Sequence, residues 1–136
     1  MKKNKIHIWT YDSLYPIQLH VTCTEDLKGL FEKYTCINKN EIIDTNWGVN
    51  VAFVEHGIYD KTTGRNVMLV VFRTIKDMTF GTIVHEANHV AQRIWEVIGE
   101  QEFGIEADSY LTEWVASSIN NCRLEIEKLN KKSKKK

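Results

Sequence analysis

His85 and His89 stand four residues apart, with Glu86 directly after the first, in the stretch His85-Glu86-Ala87-Asn88-His89. If this H-E-x-x-H stretch is helical, the two imidazoles lie one above the other on one face and can bind a single metal ion. The neighbouring Glu projects near that face, where a carboxylate can take a proton from water activated by the metal. The pattern therefore points to zinc, with His85 and His89 as ligands and Glu86 as general base. A structural zinc site closes with a fourth protein ligand and has no use for that Glu, so its presence favours hydrolysis.

The segment that must position these groups reads as an amphipathic helix. Residues 80–98 contain no Pro, Thr79 or Asp77 can cap the start, and Gly99 follows the last apolar residue. At 100° per residue, Ile83, Ala87, Val90, Ala91, Ile94 and Ile98 fall on one broad arc. His85, Glu86, His89, Gln92, Arg93 and Glu96 fall opposite. Both His and the Glu are thus expected to turn away from the buried side.

Two halves surround this helix in the sequence. The first is β-rich: residues 5–10 and 17–22 read as strands on either side of Pro16, the only proline. Residues 25–34 show helical spacing, with Thr24 as a cap and Leu27, Leu30, Phe31 and Tyr34 on one stripe. Residues 38–46 read as connector. Trp47, Val49, Val51 and Phe53 alternate as a half-buried strand, and 67–72 is a continuous apolar run that fits a strand covered on both faces. Asp60-Lys61-Thr62-Thr63-Gly64 supplies the turn between them. After a short connector at 100–104, residues 105–129 read as a second long helix, with Leu111, Val115, Ser118, Cys122, Ile126 and Leu129 as its core stripe. The expected fold is α+β: a small twisted sheet of N-terminal strands plus a hairpin, 47–54 and 66–73, packed against two long C-terminal helices. One domain over 1–130 and a disordered basic tail over 131–136 complete the expectation.

Catalytic zinc usually takes three protein ligands and leaves one position for water. Upstream, His7, His20 and His56 lie in expected strands or loops. Downstream, Glu106, Tyr110, Glu113 and Ser117 share one face of the second helix, away from its core stripe. Antiparallel packing of the two helices brings Glu106 or Glu113 back along the motif helix. Asp108 points to the core side, and Glu102 sits in the connector as a further candidate.

His85 to His89 followed by Glu106-Ala107-Asp108-Ser109-Tyr110-Leu111 resembles the small HExxH zinc-peptidase-like proteins of phages and prophages, with the ligand arrangement of a gluzincin, the thermolysin-type class. The resemblance covers roughly residues 67–115, and H-E-x-x-H is its specific part. It implies a zincin-like fold, zinc bound by His85, His89 and Glu106, and Glu86 as general base. In the thermolysin pattern, an Asp four residues after the ligand Glu orients a motif His. Here that place holds Tyr110, which is expected instead to donate to a developing oxyanion. The implied function is a zinc metallopeptidase acting on a peptide or protein substrate, with residues 67–72 as the strand along which an extended peptide would lie. The alternative is a non-catalytic zinc-binding interaction protein of a phage or mobile element.

At 136 residues, 43% hydrophobic, the chain can bury one core. Its 18 basic and 18 acidic residues balance only because five Lys fall in the last six positions; without them 13 basic residues face 18 acidic ones. Such a tail reads first as a solvated end. No aromatic or helix-turn-helix pattern supports it, so nucleic acid is not the expected partner. Three cysteines, at 23, 36 and 122, are too few and too odd in number for a disulfide framework, and none forms C-x-x-C. The N-terminal apolar run stops at Tyr11-Asp12 with no cleavage site after it, and no stretch is long enough to span a membrane. The expected location is the cytoplasm.

Overall fold

A computed structural model of the protein describes residues 5–38, 43–99 and 104–134. The fold is α+β. Strands β1 (Ile8–Asp12) and β2 (Gln18–Cys23) lead to a short helix α1 (Leu27–Phe31) and strand β3 (Tyr34–Cys36). Strands β4 (Ala52–Asp60) and β5 (Asn66–Phe72) follow, and then helices α2 (Phe80–Val97) and α3 (Ile105–Lys134). The five strands form one mixed sheet in the order β1-β2-β5-β4-β3. Only β2 and β5 run parallel; the other pairs are antiparallel.

The apolar run 67–72 becomes the central strand, which explains why it does not alternate. Met68, Val70 and Phe72 pack with Leu19, Val21 and Ile83 on the face that carries α2 and α3. Val67, Leu69 and Val71 pack with Leu27, Leu30, Phe31 and Trp47 on the other. Both faces are dry, as expected for a strand paired on both edges. On the first face, α2 lies across β4 and β5 and α3 across β2.

The hairpin lies further along the chain than its alternation implied. Residues 47–51 form a turn, not a strand: Asn50 N donates to Trp47 O, Gly48 takes φ +57°, and Val49 is 97% exposed. Trp47 alone is held inward, its indole N–H donating to Glu25 O and its ring against Phe53. The strand starts at Ala52 and continues past the expected end at 54 to Asp60. There Gly64 N donates to Asp60 O, and Thr62 N to the Asp60 carboxylate. A bulge between Glu55 and Ile58 absorbs an extra residue, with Gly57 at φ +69°.

Two other boundaries differ. The expected helix 25–34 is only five residues long, capped by Asp26 rather than Thr24, because the Asp26 carboxylate accepts from Gly29 N. Tyr34 leaves it to open β3. Helix α3 continues through Lys134, so the first four residues of the expected tail are helical. Lysines in a last turn complement the negative end of the helix dipole. Its core side holds Val115, Ser118, Ile119 and Cys122, with Leu111 and Ile126 packed alongside. Leu129, expected on that stripe, is exposed.

Tyr34 reaches across the sheet to the buried His20. Its hydroxyl lies 2.8 Å from His20 Nδ1, and His20 Nε2 lies 2.7 Å from Gln18 Oε1. Since an amide oxygen only accepts, Nε2 carries the proton and Tyr34 O–H donates to Nδ1. Burial holds the His20 pKa below its ordinary 6.5, and the nearby Asp60 charge offsets part of that. A depressed folded-state value means that stability present above about pH 6.5 is lost as the pH falls through the lowered value, by up to about 1.4 kcal/mol per pH unit. In urea titrations, the advantage of wild type over His20→Gln is expected to shrink between about pH 7.5 and 5.5. An advantage that is constant or grows would contradict the neutral assignment.

Candidate metal centre

Helix α2 starts where Thr79 caps it, its side chain accepting from Thr82 N. It continues for 18 residues and ends at Gly99, which takes φ +77°. Ile83, Ala87, Val90, Ala91 and Ile94 are buried, as their spacing requires. The whole motif thus lies within one unbroken helix seated on the sheet.

His85 and His89 are both exposed, and their Nε2 atoms lie 3.1 Å apart. The rings meet edge to face, with centroids 4.6 Å apart. Two nitrogens that bind one tetrahedral zinc at about 2.0–2.1 Å stand about 3.3 Å apart. The pair is therefore spaced for one ion. The same nitrogens can also share a proton in a direct imidazole–imidazole hydrogen bond.

Glu86 departs from the expectation. It is buried, 6% exposed, rather than on the solvent face with the imidazoles. A helical wheel shows why: Glu86 lies between His89 and Val90 in angle, one turn before Val90 and one after Ile83. It occupies the shoulder where the polar arc meets the core. Burial pushes its carboxyl above the ordinary carboxylate value, and the His85 and His89 charges pull it back in part. A carboxylate so placed favours accepting a proton more than one in open water.

The remaining candidates do not join the pair. Among the described residues, no group of three or more His, Cys, Asp or Glu is arranged to hold a metal ion. Glu106 is exposed in the first turn of α3. Nine residues separate it from the buried Val115, two and a half turns, so it faces away from the core. Glu113 is exposed on the same side. Helix α3 packs against the flank of α2 that carries Val84 and Trp95, a different one from that of the imidazoles. Trp95 of α2 donates to Asp108 at 2.9 Å, which bears out the inward placement of Asp108. Tyr110 is 66% exposed and lines a cleft with Trp95 and Trp114. Trp95 lies six residues beyond His89, about 9 Å along the helix, so Tyr110 does not meet the pair. His20 is engaged with Tyr34 and Gln18, His7, just before β1, lies against Trp9 with its ring tilted, and Glu102 lies outside the described residues.

His56 lies two residues after Val54, just before Gly57, so alternation gives it the α2-bearing face of β4. Strand β3 covers only residues 58–60 of β4, and Ile37 N donates to Gly57 O beyond them.

The chain matches no family model, no curated protein and no solved structure.

Proposed function

We propose that the chain is a zinc-dependent hydrolase, a metallopeptidase of zincin-like arrangement. The observation that carries this reading is the 3.1 Å approach of two exposed imidazole nitrogens beside a buried carboxylate, all from one turn of one helix. His85 and His89 would hold the ion, their Nε2 atoms being the pair that converges. A zinc held there would supply Lewis-acid chemistry, lowering the pKa of water toward ~7 and polarising a carbonyl. Glu86 would act as the proton carrier, taking a proton from the attacking water and returning it to the leaving amine. Its desolvated position on the helix shoulder raises its affinity for that proton and brings it near both imidazoles.

Substrate placement follows the sheet. Strand β5 is central and paired on both edges, so it cannot receive a peptide, contrary to the reading of 67–72 from sequence. The start of β4, residues 52–54, takes that role in this reading, because α2 lies across β4 and the pairing with β3 is confined to residues 58–60. An extended peptide added there gains main-chain hydrogen bonds and lies alongside the motif helix. The test is cleavage of a peptide library by protein that carries zinc. Cleavage that disappears on chelation and returns with zinc supports the peptidase. Full zinc occupancy with no cleavage would favour a zinc-binding interaction protein instead.

A further inference from the structure

The first described residues and the last turns of α3 meet at one pole of the molecule. Lys5 and His7, at the start of the described chain, line a groove of about 600 Å³ together with Ile126 and Asn130 near the end of α3. Trp9 lines it too, its ring 5.9 Å from that of His7 and tilted by 33°. His7 is exposed and Trp9 partly so. Lys134 lies one turn beyond Asn130 on the same helix face. Lys128, Lys131 and Lys132 recur at spacings of three and four, so they form a second row around the helix end. All four, with Lys5, are exposed.

This pole concentrates charge. Lys5, Lys128, Lys131, Lys132 and Lys134 bring five basic residues together there, and no acidic residue falls between Lys128 and Lys134. Glu125 and Glu127 precede them on α3; Lys128 pairs with Glu125 at 3.4 Å and Glu127 with Arg123 at 2.8 Å, and Lys131, Lys132 and Lys134 face solvent. The sequence alone offered a basic tail without an aromatic partner. The fold supplies one, because β1 brings the His7–Trp9 pair beside α3.

We propose that this pole binds single-stranded nucleic acid, with phosphates on the α3 lysines and a base stacked on the exposed His7 ring beside Trp9. Lysine ammonium groups on flexible stems follow a phosphate backbone, and an exposed aromatic face accepts any base. The opposite wall of the groove carries Glu25 and Asp26, which repel phosphate. Glu25 pairs with Arg73 and Asp26 caps α1, so both are held in place and confine the backbone to the lysine side. A membrane surface fits less well. The exposed leucines on this part of α3, Leu124 and Leu129, are five residues apart and do not form an apolar strip. The proposal does not depend on zinc.

Fluorescence anisotropy of a labelled single strand of about 12 nucleotides tests it. With about four phosphates neutralised, affinity is expected to fall about fifty-fold between about 50 and 200 mM salt. The variant Lys131→Gln/Lys132→Gln/Lys134→Gln should reduce the slope of log affinity against log salt by about 2. His7→Ala should weaken binding about five-fold or more and leave that slope unchanged. Both variants change exposed side chains, and far-ultraviolet circular dichroism checks that they fold. No binding at the lower salt, or a slope unaffected by the lysine changes, would overturn the proposal. Equal affinity for a duplex with His7→Ala silent would overturn the single-strand assignment, as would binding to phosphatidylserine vesicles without binding to the oligonucleotide.

Discussion

Glu86→Gln is expected to retain zinc while losing about 10²–10⁴-fold or more in turnover, because one carboxylate carries the proton from water to the leaving group. The amide keeps the shape of the side chain and cannot accept that proton at neutral pH. The same substitution has a second, opposite effect on the metal-stripped protein. Burial raises the Glu86 pKa in the folded state, so the ionised carboxylate opposes folding above that raised value. The penalty disappears on acidification below the ordinary value of 4.5. Stripped Glu86→Gln should therefore unfold at higher urea than wild type at neutral pH, and the two should converge in acid. Activity lost with stability gained is the signature of a functional buried carboxylate. A variant that retains full hydrolysis would show that the activity belongs elsewhere.

Phe72→Ala is expected to cost about 3–5 kcal/mol, a large part of the about 5–15 kcal/mol that holds a typical domain together. Phe72 is fully buried at the end of the central strand, in the cluster that includes Leu19, Met78 and Ile83. Removing the ring takes away part of the floor on which α2 rests. Val49→Ala is the control. Val49 is 97% exposed in the turn before β4, so its truncation should stay within about 0.5 kcal/mol. Urea midpoints for the two variants separate the observed hairpin from the one suggested by alternation. If residues 47–53 were a half-buried strand, both substitutions would be costly.

Long-period patterns were legible in the sequence. Eighteen residues of α2 with an apolar arc, and the unbroken run 67–72, identify their own burial because each repeats its signal several times. Short elements were not. Tyr34 looks like the last apolar residue of a helix, yet its hydroxyl bonds His20 across the sheet, a contact no local pattern encodes. Trp47 to Val51 alternates correctly but lies in a turn, because Gly48 adopts a left-handed conformation and the tight turn at 60–64 fixes the register. The His pair was legible since its geometry is internal to one helix. Glu86's burial was not, as a residue on the shoulder of a helix is assigned by its neighbours in space. The placing of Glu106 required knowing which flank of α2 receives α3. Helical periodicity gives the angle of each residue and leaves that choice open.

Metal stoichiometry of the purified protein, by plasma mass spectrometry after dialysis with zinc, tests the central claim most directly. His85 Nε2 and His89 Nε2 are already separated by close to the distance that one tetrahedral ion requires. The account predicts about one zinc per chain, falling to none in His85→Ala/His89→Ala. Since both side chains are exposed, that variant should retain its circular dichroism spectrum. No uptake by wild type, or equal uptake by the double variant, would contradict a metal site at this pair and leave its 3.1 Å contact as a hydrogen bond between two histidines.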